Sequence, residues 1–416
     1  RDGFLIAALF WSVLALFGSL PLMLTGDAAL SITDAVFESF SGLTTTGASV
    51  ITGIEHLPES IRYYRQQLQW LGGMGIVVLA VAILPTLGVG GMALYRTEIP
   101  GPLKDSKLTP RITETAKALW YIYAALTVTC MLAYMAAGMS WFDALGHSFS
   151  TVAIGGFSTY DASIGHFDSA VIEMICVFFL IVSAVSFSLH FAAWREKRLT
   201  HYFQDPEARF LLLFLLGLAV ITVVSLWLTN TYGTERGLRH GIFQVVSVAT
   251  TAGFGVADFS VWPGALPFLL FMAAFVGGCS GSTGGGMKVI RIILILKQGM
   301  REVMRLIHPN AVIAVKVGKV SVPDGIAQAV WGFFSVYVML FFLMLVGVMA
   351  TGVDQVTAWS TVASALNNLG PALGEASSHY GDLPTLAKWI LVMAMLLGRL
   401  EIFTVLVLFT PAFWRR

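Results

Sequence analysis

"SGLTTTGAS" (Ser41–Ser49) is a short polar stretch set among apolar segments, and three others share its layout: "STVAIGGFS" (Ser150–Ser158), "SVATTAGFG" (Ser247–Gly255) and "SALNNLGPA" (Ser364–Ala372). Aligned on Gly47, Gly156, Gly253 and Gly370, all four carry a serine six positions earlier, at Ser41, Ser150, Ser247 and Ser364, and a small residue two positions later. The glycines define the alignment, so the serines are the independent match. A repeat of this kind decides the fold, because a missed repeat mis-assigns the whole chain.

The surroundings repeat too. A long apolar helix comes first, then a segment of ~10–14 residues too short to span hydrocarbon, then the glycine stretch, then a second long apolar helix. The short segments begin near Asp34, Asp143, Glu235 and Asp354, residues suited to a helix start, and read as re-entrant half-helices.

Composition agrees with a membrane setting. Of 416 residues, 56% are hydrophobic and 12% charged, against roughly 25% charged in soluble domains. The runs Phe4–Leu24, Leu119–Ala137, Phe210–Leu228, Val330–Ala350 and Trp389–Phe409 approach the ~20 residues that cross a bilayer as helix. An all-α integral membrane protein is expected. A net charge of +1 gives no reason to invoke nucleic acid. Cys130, Cys176 and Cys279 lie in apolar segments without metal-ligand or paired spacing. The chain opens on Arg1 rather than a methionine, which allows for residues upstream, and no signal peptide is read at its start.

Two crossings per repeat return the chain to its starting side, so the four units run parallel, whereas inverted repeats need an odd number of crossings. The expectation is four M1–pore-helix–M2 repeats around a pseudo-fourfold pore, over residues 1–110, 111–205, 206–320 (with a glycine-rich intramembrane loop) and 321–416. Nineteen of the 25 lysines and arginines fall on one face: Arg1; Arg96, Lys104, Lys107, Arg111 and Lys117; Arg195, Lys197, Arg198 and Arg209; the seven from Lys288 to Lys319; Arg415 and Arg416. The positive-inside rule makes that face cytoplasmic. The glycine stretches then face outward, accompanied by Asp27, Asp34, Glu38, Glu55, Glu59, Asp143, Asp161, Asp168, Glu173, Glu235, Asp258, Asp354, Glu375 and Asp382, a mouth that concentrates cations.

Non-helical backbone at membrane depth is tolerated where it is buried in protein or lines a water-filled cavity. Four such segments in equivalent places are expected to line one cavity, where a ring of carbonyl oxygens replaces the hydration shell of an alkali cation. Half-helices entering from outside also aim their partially negative C-termini at the centre. None of the four stretches carries a carboxylate at the filter position, which disfavours divalent ions.

"TTTGAS", "AIGGFST", "TTAGFG" and "NNLGPALG", in that order, together with the glycine-rich break described next, resemble the potassium uptake superfamily of TrkH, KtrB and plant HKT proteins, closest to bacterial TrkH, over essentially the whole chain. The resemblance implies that Gly47, Gly156, Gly253 and Gly370 are the filter glycines. It implies that the backbone before them, at Thr45 and Thr46, Ile154 and Gly155, Thr251 and Ala252, and Asn368 and Leu369, coordinates K+. A serine in place of the first-repeat glycine goes with sodium permeation in this superfamily, so Gly47 implies K+ preference, with Rb+ or some Na+ passage left open. The stretches lack the full Thr-Val-Gly-Tyr-Gly pattern of tetrameric potassium channels, and looser discrimination follows.

"GGCSGSTGGG" (Gly277–Gly286) has six glycines in ten residues, in the middle of an apparent span running from about Trp262 to Gln298. Each interior glycine costs about 1 kcal/mol relative to alanine. A kink or close helix contact needs one or two; six imply an unwound loop below the filter. By resemblance, Gly277, Gly278, Cys279, Ser280, Gly281, Ser282, Thr283, Gly284, Gly285 and Gly286 form an intramembrane gating loop. Similarity to a phosphate loop fails, since Lys288 is followed by valine within a membrane helix. Arg399 is a permanent charge near the middle of the last apolar run; insertion costs at least ~2.5–3.5 kcal/mol, so it faces the bundle interior or the cavity. It reads as a gate partner of the glycine loop or as half of a structural ion pair, for which Glu401 is badly placed on the helix.

The expected function is potassium uptake, channel-like, across the bacterial inner membrane. A K+/H+ or K+/Na+ symporter on the same fold is the nearest rival. A membrane-embedded enzyme ranks low, because no Ser/His/Asp or metal constellation is present, and no organic cofactor is expected. The resemblance implies a homodimer and a cytoplasmic nucleotide-binding regulatory subunit of the TrkA type, for which the basic residues between Lys288 and Lys319 are the expected dock.

Overall fold

A computed structural model describes residues 2–26, 29–82, 112–311, 313–318 and 320–414. Arg1, Asp27, Arg96, Lys104, Lys107, Arg111, Lys319, Arg415 and Arg416, and the boundary expected at 110, lie outside the described residues.

The helices in chain order are α1 (Asp2–Gly18), α2 (Ile32–Leu43), α3 (Glu59–Ala82), α4 (Ile112–Ala136), α5 (Trp141–Val152), α6 (Ala170–Ala184), α7 (Phe187–Glu196), α8 (Pro206–Leu228), α9 (Thr234–Ala249), α10 (Leu266–Ala274), α11 (Val289–Ile307), α12 (Asp324–Met349), α13 (Gln355–Asn367) and α14 (Thr385–Arg399). The chain is all-α apart from a short antiparallel hairpin pairing Lys316–Val317 with Val320–Ser321 among the described residues. The boundary expected at 320 falls inside that hairpin. The boundary expected at 205 falls on the N-cap of α8, where the Asp205 carboxylate accepts from the Ala208 N–H at 2.8 Å.

Among the described residues, four segments are long and apolar enough to cross a membrane, Gly3–Met23, Ala116–Ala136, Pro206–Leu228 and Asp324–Met349. Each is the first long helix of one repeat, and each presents large apolar side chains outward, such as Phe10 and Phe17, Val128 and Leu132, Leu213 and Leu216, and Phe342 and Leu343. In water such surfaces would be a liability; against lipid tails they are satisfied.

The short helices α2, α5, α9 and α13 lie inside this shell, with nearly all residues of their C-terminal halves buried. Three of the four starts are capped by side chains, and α9 starts from Gly233 without one. Ser31 and Ser140 accept the backbone N–H of Asp34 and Asp143 while donating to the same aspartates' carboxylates, and Asp354 accepts from Val356 and Thr357. The caps in the first two repeats are thus the serines rather than the aspartates that mark them in sequence.

The second long helices depart most from simple spans. The apparent third-repeat span is helical over α10 and again over α11, with residues 275–288 unwound between. Two further breaks occur, the first without a glycine or proline and the second directly after Gly398 and Arg399. α6 and α7 meet at 91° at Val185 and Ser186. There the third repeat inserts: the Cys279 N–H donates to Ala184 O at 2.8 Å and the Phe187 N–H to Gly281 O at 3.1 Å, satisfying groups the break frees. The last apolar run ends as helix at Arg399 and turns by 107°, with Glu401 and Ile402 at φ 57° and 49°. Arg399 is therefore at a helix C-terminus, where a cation is favoured, rather than in mid-helix.

Candidate ion pathway

All four pore helices end alike. The residue two before each aligned glycine has a left-handed backbone: Thr45 (φ 53°), Ile154 (54°), Thr251 (67°) and Asn368 (54°). The next N–H reaches back to the carbonyl of the repeated serine, Thr46 to Ser41 (2.8 Å), Gly155 to Ser150 (2.8 Å), Ala252 to Ser247 (2.7 Å) and Leu369 to Ser364 (2.9 Å). The left-handed residue's own N–H bonds the carbonyl three before it, at Gly42, Thr151, Val248 and Ala365. This pair of bonds is a Schellman ending, which usually places glycine at the left-handed position. Here β-branched Thr45, Ile154 and Thr251 occupy it at a cost of about 1–2 kcal/mol each, strain of the kind that gathers at functional sites.

The glycines follow, again left-handed: Gly47 (φ 81°), Gly156 (82°), Gly253 (80°) and Gly370 (101°). A Cβ on Gly47 would overlap the carbonyl oxygen of Gly155, one on Gly156 that of Ala252, one on Gly253 that of Leu369, and one on Gly370 that of Thr46. Each of these glycines thus abuts the main chain of the next repeat, and the fourth closes onto the first. The segments Thr45–Gly47, Ile154–Gly156, Thr251–Gly253 and Asn368–Gly370 are thereby joined in one closed ring of contacts.

Behind the ring, α3 supplies a polar ladder that the sequence reading missed. Arg65 Nη1 donates to Ser158 O (3.3 Å), Gln66 Nε2 to Phe157 O (3.2 Å), and Gln69 Nε2 to Gly155 O (2.5 Å), while Gln69 Oε1 accepts from the Phe157 N–H (3.0 Å). Arg65 and Glu38 are both fully buried and joined at 2.8 Å, with Ser49 and the Val50 N–H also bonding the Glu38 carboxylate. The signal was present: Arg65, Gln66 and Gln69 fall on one face of an otherwise membrane-compatible helix.

This corrects the expected acidic mouth. Glu38, Asp143 and Glu173 are buried rather than facing water, with Glu38 paired to Arg65 and Glu173 to Arg239; half-buried Asp34 is paired to Lys388. Glu55, Glu59, Asp161, Asp168, Glu235, Asp258, Asp354, Glu375 and Asp382 remain exposed. Glu55 and Asp161 brace the loops that follow the first two glycine stretches: Asp161 accepts from the Gly53 and Ile54 N–H groups at 2.6 and 3.0 Å, and Glu55 from the Asp161 N–H at 3.3 Å. Backbone N–H groups, its own and that of Asp161, hold the Glu55 carboxyl below its ordinary range.

Below the ring, residues Gly277–Gly286 form a loop hydrogen-bonded within the third repeat and to the second and fourth. Gly277, Gly281 and Gly286 are left-handed (φ 68°, 73° and 73°), and Gly278 and Gly285 bond each other across the loop. Ser280 N donates to a Glu207 carboxylate oxygen (2.8 Å) and Ser282 Oγ to Cys279 O (2.7 Å). Thr283 Oγ1 donates to Val152 O at the end of α5 (2.9 Å), the Gly285 N–H to Thr251 Oγ1 (2.6 Å), and the Gly286 N–H to Asn367 O (3.0 Å). Lys288 Nζ donates to Gly284 O.

Arg399 meets this loop from the fourth repeat. Nη1 donates to Thr283 O at 3.0 Å and Nη2 to Gly72 O of α3 at 3.3 Å, with the guanidinium 5.8 Å from the Trp11 ring. Among the described residues no carboxylate pairs with it; Glu401 bonds Arg291 instead, at 2.5 Å. A small cavity lies between, lined among others by Gly284, Gly285, Lys288, Asn368, Arg399 and Glu401. Of the basic residues expected to form a dock, Lys288, Arg291 and Arg301 are buried, whereas Lys297 and Lys316 are exposed.

Residues 1–416 match the family described as TrkH: Cation transport protein. The chain is 88% identical over 416 residues to the Trk system potassium uptake protein TrkH of Halomonas elongata, covering 100% of this chain and 86% of that protein. It is 55% identical over 416 residues to the protein of the same name in Escherichia coli K12, with the same coverage. The crystal structure of the potassium transporter TrkH from Vibrio parahaemolyticus matches with a TM-score of 0.93 at 53% identity, covering 100% of this chain and 86% of that one. Transport, rather than enzymatic turnover, is the business of these relatives, and the chain belongs to the TrkH family of cation transport proteins.

Proposed function

We propose that this chain takes up potassium across the bacterial inner membrane, channel-like, through the ring formed by Thr45–Gly47, Ile154–Gly156, Thr251–Gly253 and Asn368–Gly370, with its mouth outward. The observation that carries the reading is the closed contact of each filter glycine with the carbonyl of the next repeat. Such a ring offers dehydrated K+ a set of oxygens without a formal charge, which suits a monovalent ion that must also leave. Rb+ passes with K+, and Na+ less well.

The loop Gly277–Gly286 and Arg399 act as the gate. Loop backbone packed beneath the ring obstructs the axis, and a guanidinium close by adds a barrier to cations. The chain works as a homodimer with a cytoplasmic nucleotide-binding subunit of the TrkA type. In support, α11 exposes Leu296, Met300, Val303 and Ile307 along one face, an apolar stripe suited to a second copy, while Lys297 and Lys316 stay accessible to a regulator.

Purified protein in vesicles tests the reading by 86Rb+ uptake and by reversal potentials under K+, Na+ and pH gradients. A potential set by K+ alone supports the channel-like mode; one that moves with the pH or Na+ gradient favours the symporter. Absence of Rb+ flux with the regulator present overturns both.

A further inference from the structure

The four carbonyls that precede the filter glycines are not equivalent. Those of Thr46, Ala252 and Leu369 accept no protein hydrogen bond among the described residues, whereas the Gly155 carbonyl accepts one from Gln69 at 2.5 Å. Gln69 is fully buried on α3, in the first repeat, and its amide oxygen holds the Phe157 N–H two residues further on. One side chain therefore grips the second-repeat strand on both sides of Gly156.

The sequence is matched to this grip. A Cβ at position 155 would overlap the Gln69 amide, and position 155 is glycine where the other repeats carry Thr46, Ala252 and Leu369. The same holds one turn earlier, where a Cβ on Gly146 would overlap the Gln66 amide. Space for the amides has been cleared in the second repeat.

We propose that Gln69 is a specificity-determining residue of the ion pathway, tethering the Gly155 carbonyl so that the ring resists contraction onto an ion smaller than K+. A carbonyl oxygen has two lone pairs, so the tether leaves one for the ion. Selectivity in a carbonyl ring depends on cavity size and on the field strength of the ligands, and the tether acts on both in one direction. It holds the oxygen against the inward movement that Na+ needs for coordination. It also draws electron density from that oxygen, and a weaker field penalises the small, strongly hydrated ion most.

This inference rests on the filter reading above, and the experiment separates the two. Bi-ionic reversal potentials for K+ against Na+ are measured on reconstituted wild-type protein and on Gln69→Met, Gln69→Asn and Gly47→Ser. Gln69→Met keeps length and burial but loses both bonds; the expected result is a fall in the K+/Na+ permeability ratio of about two- to tenfold, the range of one net hydrogen bond. Gln69→Asn keeps the amide on a shorter arm and should fall between. It carries the test if the methionine variant does not assemble by size exclusion. A ratio equal to wild type for the Gln69 variants, with Gly47→Ser shifted, overturns the proposal and leaves the filter reading standing. Wild-type ratios in all three variants remove the filter reading and this inference with it.

Discussion

The hydroxyl of Thr251 lies 2.6 Å from the backbone nitrogen of Gly285, so a residue of the ring is hydrogen-bonded directly to the loop beneath it. Thr251 is also one of the left-handed residues that end the pore helices. Ring and loop therefore share a bond rather than merely a neighbourhood. Thr251→Val keeps the shape and removes the acceptor, leaving a buried N–H unpaired at a cost of about 1–3 kcal/mol to the closed arrangement. The expected result is a raised resting 86Rb+ flux without regulator, by about tenfold or more; a resting flux equal to wild type would count against the shared bond.

Gly47→Ser places a side chain at φ 81° and against the Gly155 carbonyl. Strain of about 1–2 kcal/mol is relieved by displacing that carbonyl from the ring. The K+/Na+ permeability ratio should fall about tenfold in bi-ionic recordings, while Gly217→Ala, at a glycine with open space around it, should leave it unchanged.

Arg399 spans two carbonyls on different elements, Thr283 O and Gly72 O, which suits a planar guanidinium with several donors. Arg399→Gln should raise the resting flux, and Arg399→Lys should restore closure only in part, because a single ammonium cannot hold both carbonyls in the same geometry. Vesicle flux assays order the three proteins; equal leak in all of them would remove Arg399 from the gate.

The Glu38–Arg65 pair is fully buried behind the ring. Removing one partner strands a charge, which typically costs ~3–5 kcal/mol. Arg65→Met should lower the thermal unfolding midpoint in detergent by several degrees. The Glu38→Gln, Arg65→Met double variant should recover part of that loss, and the absence of any recovery would argue that Arg65 acts through Ser158 and the Phe157 ring alone.

Glu55 supplies a pH test outside the membrane. Its folded pKa lies below the ordinary glutamate value of ~4.3, so its contribution is complete above that value and is lost as pH falls through the lowered one. The brace to Asp161 should loosen only as pH falls below the ordinary glutamate range. Hydrogen exchange of residues 53–56 and 161–163, corrected for intrinsic rates, should quicken at pH 3.5 relative to pH 6, and Glu55→Gln should abolish the difference.

The repeated serines and glycines were legible because four copies of one backbone ending leave four copies of one spacing; the serine is the residue whose carbonyl closes each Schellman turn. The unwound loop was legible because glycine is the cheapest residue to place outside a helix and the costliest within one. The left-handed residues were hidden, since Ile154 and Thr251 contradict the preference that would reveal them. The bend after Ala184 is hidden for a different reason: its freed backbone groups are satisfied by Cys279 and Gly281, far along the chain, which local composition does not encode. The buried Glu38 reads in the sequence as a surface acid because its partner Arg65 lies 27 residues away.

The turn after Arg399 and the ion pair between Arg291 and Glu401 together yoke two inner helices. α11 leaves the glycine loop and ends among exposed residues, and Arg291 sits in its first turn. A push or tug on the exposed end of α11 therefore travels as along a lever whose near end is pinned to the elbow of the fourth repeat. Whatever swings that lever drags the elbow along or tears the pin, so the third and fourth repeats answer a displacement of α11 together.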